Sequence, residues 1–212
     1  MHRPIVCYVT DRRSLEIPAD RSREAALIER IRTATSAGAD WIQLREKDLK
    51  ARSLFDLGCA AIAASHGTAA QVLINDRLDV AWACGAAGVH LGESSVPVGE
   101  VVRAKREIPR RDFVVGASCH SLEASANAAR DGADYIFFGP VFATPSKAEF
   151  GAPQGLTRLA EVCRAVPVAV LAIGGVTSQN ARECLQAGAA GIAAIRLFQD
   201  GADLAATLRK IR

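Results

Sequence analysis

The sequence predicts an α/β fold, a single (β/α)8 barrel with residues 1–212 as one domain, and three observations predict it. Short apolar, β-rich runs alternate with helix-patterned stretches eight times. A junction also recurs ahead of each even-numbered strand, as AGADWI (37–42), CGAAGV (84–89), DGADYI (131–136) and AGAAGI (187–192). The repeat unit is therefore two β-α pairs, and four such units close a barrel. Finally, 212 residues suit a barrel of minimal size, and half of them are apolar, enough for a sizeable core. The competing fold is an open doubly wound sheet, but nothing resembling G-x-G-x-x-G follows the first strand.

Each element has its own justification. The run 5–10 (IVCYVT) is the first strand and ends at Asp11. Residues 24–37 carry Ala25, Leu27, Ile28, Ile31 and Ala34 at helical spacing and stop at Gly38, a residue suited to the left-handed turn past a helix end. Strand two is 41–44, followed by a helix over 53–64. Strand three is 72–74, followed by a short helix from Asp79 to Gly85. Strand four is 88–91, with Pro97 in the first turn of the next helix. Strand five is 113–117, and Ser121 caps a helix over 122–130 that Gly132 closes. Strand six is 135–138, with a helix over 157–165 after a loop rich in Gly, Pro and Ala. Strand seven is 168–173, and Ser178 caps a helix ending at Gly188. Strand eight is 192–195, and residues 202–211 form the closing helix.

Composition narrows the function. A net charge of +3 argues against a nucleic-acid coat or a membrane-surface protein, while leaving room for a local anion site. Cys7, Cys59, Cys84, Cys119, Cys163 and Cys184 form no C-x-x-C pair and read as reduced, buried thiols. No charged-then-apolar leader opens the chain, and no run approaches the ~18 apolar residues of a membrane span. The expectation is a soluble cytoplasmic protein that binds neither nucleic acid nor membrane.

Barrel enzymes build their sites at the C-terminal ends of the strands. Here those ends supply Thr10 and Asp11, then Gln43, Arg45 and Lys47, then Asn75 and Asp76. Further round they supply Glu93 and Ser95, Ser118 and His120, Thr144, Ser146 and Lys147, Gly174–Gly175, and Arg196. Gln43, Arg45 and Lys47 alternate, so on an extended segment they point the same way. Three cations and two hydroxyls facing one cavity suit a diphosphate-sized anion. A carboxylate beside such a site, Asp76, suits Mg²⁺ bridging protein and phosphate; the alternative is an ion pair with Arg45 or Arg77. Gly174–Gly175 and the backbone past strand eight match the usual phosphate site of these barrels, where Arg196 could bind the phosphate or an outer carboxylate. His120, at a strand exit, is placed for proton transfer. His90, within a strand, reads as a core residue.

Taken together, QLREK (43–47), NDR (75–77), GVHLG (88–92), S-x-H (118–120), GPVFATPSK (139–147), IGG (173–175) and GAAGIAAI (188–195) resemble the family of thiamine phosphate synthases and thiazole tautomerases. The resemblance implies a barrel that couples hydroxymethylpyrimidine diphosphate to a thiazole phosphate, in its carboxylate form, with Mg²⁺-assisted loss of pyrophosphate. It implies that Gln43, Arg45, Lys47, Asn75 and Lys147 hold the diphosphate, that Asp76 binds Mg²⁺, and that Ser118 contacts the pyrimidine. Thr144, Ser146, Gly175 and the amides near Ile195 would bind the thiazole phosphate. Two positions depart from the synthase pattern. Ser95 stands where a second metal-binding aspartate is usual, with Glu93 as an alternative, and Arg196 stands where serine is common. The alternative within the family is a metal-independent tautomerase, in which His120 would shuttle the proton. A non-catalytic sensor of thiamine precursors is a third reading, and a homodimer is left open.

Overall fold

The computed structural model describes residues 3–17, 19–107, 112–144, 152–201 and 203–212. Its strands are β1 (Ile5–Val9), β2 (Trp41–Leu44), β3 (Gln71–Asn75), β4 (Gly88–Leu91), β5 (Val114–Cys119), β6 (Tyr135–Phe138), β7 (Ala169–Ile173) and β8 (Gly191–Ala194). Each pairs in parallel with the next, and β8 returns to β1 through the register Ile5↔Gly191, closing the barrel. The helices are α1 (Arg23–Ser36), α2 (Ala51–Ala64), α3 (Leu78–Cys84), α4 (Val98–Lys105), α5 (Leu122–Arg130), α6 (Gly155–Ala165), α7 (Ala181–Gln186), α8 (Arg196–Gln199) and α9 (Leu204–Ile211). This is the (β/α)8 barrel that the alternation predicts.

Local chemistry explains the boundaries. Ser22 and Ser121 accept hydrogen bonds from the amides of Ala25 and Ala124 at 3.1 and 3.0 Å, capping α1 and α5. The glycine of each repeated junction, Gly38, Gly85, Gly132 and Gly188, sits at positive φ. The repeat is therefore a helix stop that only glycine fills without strain.

Several expectations need correction. Pro97 is the N-cap of α4 and lies outside its first turn. Asn180 stands at the N-cap of α7 in place of Ser178, and its side chain accepts the Thr177 amide at 2.8 Å. The closing helix starts only at Leu204, after the cap Asp203, and a separate short helix, α8, follows β8 directly. β5 extends to Cys119, which places Ser118 inside the strand. Cys59 is exposed; Cys7, Cys119 and Cys184 are buried as expected, and all six thiols are free.

Strand alternation separates two cores. Val6, Tyr8, Ile42, Leu44, Ile74, Val115 and Ile136 pack outward against the helices. Cys7, Val9, Leu73, Tyr135, Phe137, Leu171 and Ala193 fill the barrel interior. Gly116 makes room for the largest of these, because a Cβ on it would lie 2.0 Å from Tyr135 Cζ. Gly116→Ala is expected to lower the unfolding free energy by about 1–3 kcal/mol through overpacking. A denaturant midpoint equal to wild type would contradict this packing.

Candidate functional site at the C-terminal mouth of the barrel

Above the interior core the inward-facing positions turn polar. Gln43 Nε2 donates to Asn75 Oδ1 at 3.0 Å, and Asn75 Nδ2 donates to Asp76 Oδ2 at 3.1 Å. Asp76 Oδ1 accepts from the Ser95 hydroxyl, which itself accepts the Gly92 amide at 2.6 Å. One hydrogen-bonded chain thus links the exits of β2, β3 and β4. Its direction is fixed from one end. An ionised carboxylate can only accept, so Asn75 turns its NH₂ to Asp76 and its oxygen to Gln43. Gln43, 1 % exposed, is left with an Oε1 that finds no donor among the described residues.

Asp76 has φ +62, a left-handed conformation at a non-glycine residue. Aspartate tolerates this region better than most side chains, but it still costs energy, and such strain gathers at functional positions. The ion-pair alternative does not hold for Arg77, which is bidentate to Asp79 instead, at 2.9 Å through Nε. Of the two candidates for a second metal oxygen, Ser95 is the one turned to Asp76; Glu93 is exposed.

Arg45 is half-buried and Lys47 exposed, and neither has an ion-pair partner among the described residues. The expected extended run is shorter than the sequence suggests. β2 ends at Leu44, and Lys47 lies in a turn, so it does not align with Gln43 and Arg45 by strand alternation.

Glu46, between the two cations, is a key residue that the run of charges in the sequence does not single out. Its side chain is 1 % exposed and faces Arg12, itself 9 % exposed. Thr10 Oγ1 donates to Glu46 Oε1 at 2.6 Å and accepts the Arg45 amide at 2.9 Å. The Arg12 amide reaches both carboxylate oxygens, at 3.2 and 3.1 Å, and Arg12 Nη1 reaches Oε2 at 3.1 Å. The same guanidinium is bidentate to Asp48 at 2.7 and 2.8 Å, which holds the Asp48 carboxyl well below the usual range. Burial pushes the Glu46 carboxyl up, opposed by Thr10 and Arg12. Every neighbour is a donor, so the pocket is built for the carboxylate. Strand parity offered a signal: Gln43 and Arg45 share one face, Leu44 and Glu46 the other, so Glu46 points towards the helices and needs a buried cation.

Next to Asn75 in the register, His90 is buried within β4. Its Nε2 lies 2.9 Å from Ser118 Oγ and its Nδ1 lies 3.0 Å from Tyr135 Oη. Burial holds its pKa down at about 3. His90 is a core residue, as expected, but one bonded to a site residue. His120 Nδ1 contacts the Gly139 carbonyl oxygen, which leaves Nε2 as its other polar atom.

The loops after β6 and β7 are stitched together. Val141 and Phe142 amides donate to Ile173 and Gly174 carbonyls at 2.9 and 3.0 Å. A Cβ on Gly175 would lie 2.6 Å from Ala143 O, so only glycine allows this approach of the two loops. Thr144 lies at the end of the described part of the first loop; Ser146 and Lys147 lie outside the described residues. Ile195 is the N-cap of α8 and Arg196 its exposed first residue. The helix is anchored by Phe198 stacked on Tyr8 at 4.9 Å and by Gln199 Nε2 donating to Asp11 O at 2.8 Å.

Among the described residues no three His, Cys, Asp or Glu side chains form a metal cluster. The donor set at Asp76 and Ser95 is one carboxylate and one hydroxyl. That is too few for an all-protein cage, but it fits Mg²⁺, which keeps waters and takes substrate oxygens.

Comparison with known proteins gives concordant matches. The family model described as thiamine monophosphate synthase matches residues 8–198. The thiamine-phosphate synthase of Roseiflexus castenholzii is 40% identical over 209 residues, covering 99% of this chain and 87% of that protein. That of Methanoculleus marisnigri is 43% identical over 181 residues, covering 85% and 84%. The solved thiamine phosphate pyrophosphorylase from Pyrococcus furiosus superposes with a TM-score of 0.82 at 33% identity, covering 98% of this chain and 93% of that one.

Proposed function

The chain belongs to the thiamine monophosphate synthase family and is a transferase, and on that premise we propose the reaction and the residues that carry it. The enzyme couples hydroxymethylpyrimidine diphosphate to a thiazole phosphate, in its carboxylate form, and releases pyrophosphate. The observation that carries the reading is the Gln43–Asn75–Asp76–Ser95 chain across the exits of β2, β3 and β4, with Arg45, without an ion-pair partner among the described residues, two positions beyond Gln43. A leaving diphosphate needs charge neutralisation and fixed geometry, and Arg45 and Lys47, with Lys147 further along the sequence, supply the cations.

Asp76 and Ser95 would hold Mg²⁺, which when bound neutralises charge on the departing diphosphate. Asn75 gives one of its two NH₂ hydrogens to Asp76, which keeps that carboxylate oriented, and has the other for a diphosphate oxygen. Gln43 Oε1 is an acceptor, so it suits an N–H of the pyrimidine better than a diphosphate oxygen, and its role moves accordingly. Ser118 contacts the pyrimidine. Thr144, Ser146, Gly175 and the Ile195 backbone receive the thiazole phosphate, with Arg196 at the rim for its phosphate or carboxylate. His120, tied to the Gly139 carbonyl through Nδ1, is left with Nε2 for proton transfer. We place the enzyme in the cytoplasm, in keeping with its free thiols; no described helix is long and apolar enough to cross a membrane.

The tautomerase reading rests on His120 and on the serine at position 95. Each relative reported above is named for the synthase reaction. The test is incubation of purified protein with both synthase substrates, with and without Mg²⁺, following thiamine phosphate and pyrophosphate together. Equimolar appearance of both is expected; no coupled product at any Mg²⁺ concentration, with isomerisation of the thiazole carboxylate phosphate alone, would replace this reading with the tautomerase. Lys147→Ala is expected to weaken pyrophosphate binding about tenfold or more, because a charge-assisted contact contributes ~1.5–3 kcal/mol. Calorimetry that finds an unchanged dissociation constant would remove Lys147 from the site.

A further inference from the structure

The Ser118–His90–Tyr135 chain has a definite hydrogen-bond polarity. Tyr135 is buried in the barrel interior at 1 % exposure, ringed by Trp41, His90 and Phe137 at centroid separations of 4.7, 5.5 and 5.4 Å. A phenol has one proton to donate, and a buried hydroxyl that donates to nothing is costly. Burial raises its pKa well above the usual tyrosine value, so the proton stays on. His90 Nδ1, at 3.0 Å, is its hydrogen-bond partner among the described residues. Nδ1 must then be the bare, accepting nitrogen, and the ring proton sits on Nε2. Nε2 donates to Ser118 Oγ at 2.9 Å, which fills one of the two lone pairs on the serine oxygen and leaves the serine proton for another partner. Ser118 is half-buried, two residues beyond Gly116 on the same face of β5 and level with Phe137, with that proton available to the mouth of the barrel.

We infer that Tyr135 and His90 are positioning residues that fix the Ser118 hydroxyl as a hydrogen-bond donor to the ligand, so that the ligand atom it meets is an acceptor, a ring nitrogen of the pyrimidine rather than its amino group. The substrate half of this inference rests on the synthase reading above; the polarity of the chain does not. Without Tyr135 the imidazole is free to carry its proton on either nitrogen, and Ser118 is free to donate downward to His90 instead. The wall that makes this possible is Gly116, since any side chain there would displace the Tyr135 ring.

The test has two arms. In the ligand-free protein, ¹⁵N spectra of labelled histidine, with His90 assigned by its absence in His90→Gln, are expected to show Nε2 protonated and Nδ1 bare. Tyr135→Phe, which removes only the hydroxyl, is expected to give a mixture of tautomers. A wild-type His90 carrying its proton on Nδ1, or on both nitrogens, would overturn the inference whatever reaction the enzyme catalyses. In the coupling assay, Tyr135→Phe is expected to raise KM for the pyrimidine diphosphate about tenfold, in line with a redirected hydrogen bond, and to leave KM for the thiazole phosphate unchanged. In a Ser118→Ala background the same substitution is expected to add almost nothing, because the two residues act through one contact. Equal effects of Tyr135→Phe in both backgrounds, or equal rises in both KM values, would show that Tyr135 serves packing alone. A wild-type enzyme inactive in coupling would remove the synthase reading, and the spectra would still decide the polarity.

Discussion

Glu46→Ala is expected to lower the unfolding free energy by about 3–5 kcal/mol, the cost of removing one partner of a buried ion pair. The substitution strips Arg12 of one carboxylate and leaves the Arg12 amide and the Thr10 hydroxyl without their shared acceptor. Asp48 and Glu24 still hold the guanidinium, which places the effect nearer the lower end of that range. Glu46→Gln keeps the shape and one acceptor oxygen but turns an NH₂ against donors, so it is expected to fall between wild type and alanine. The same change reaches the site. Thr10 Oγ1 receives the Arg45 amide, so loosening Thr10 loosens the backbone that aims Arg45, and pyrophosphate affinity should fall along with stability. Urea unfolding followed by circular dichroism measures the first effect. A Glu46→Ala midpoint equal to wild type would mean that this carboxylate is solvated and that the network does not hold the loop.

Asp76→Asn is expected to cut turnover about 10²–10³-fold, the scale of losing one preorganised electrostatic group, with stability within about 0.5 kcal/mol of wild type, as for an exposed substitution. Asparagine has the same shape, tolerates the left-handed backbone of position 76 and can still accept from Ser95, so the fold has little to lose. What it lacks is the charge that would hold Mg²⁺. A second substitution separates strain from chemistry. Asp76→Gly relieves the positive φ, so it should be as stable as wild type or more so, while turnover falls at least as far as in Asp76→Asn. Steady-state coupling assays across a Mg²⁺ titration read this directly. Turnover near the wild-type value in Asp76→Asn would take position 76 out of the metal site.

Much of this architecture is legible in the chain because barrel periodicity writes itself twice, once in the alternation of elements and once in the glycine junctions. Gly38, Gly85, Gly132 and Gly188 recur because each helix must stop in the left-handed region before the next inward strand. The convergence of Gln43, Asn75, Asp76 and Ser95 follows from topology, since exits of neighbouring parallel strands share one rim. What the chain concealed was side-chain pairing. Glu46 sits in a run of charges, where solvated and buried carboxylates look alike, and only strand parity distinguishes them. The pattern around His90 shows a core residue, which is half of its position, because its two partners lie 28 and 45 residues away. The four-residue helix after β8 is too short to show a period, and Thr177, Ser178 and Asn180 are all competent caps, so their order of use depends on tertiary packing.

The most direct test of the account is a crystal structure of the protein soaked with pyrophosphate and Mg²⁺. The metal is expected on Asp76 with the Ser95 hydroxyl beside it, and the pyrophosphate oxygens within hydrogen-bond distance of Arg45, Lys47 and Lys147. Pyrophosphate bound away from the C-terminal ends of the strands, or a metal held by groups that exclude Asp76, would contradict it.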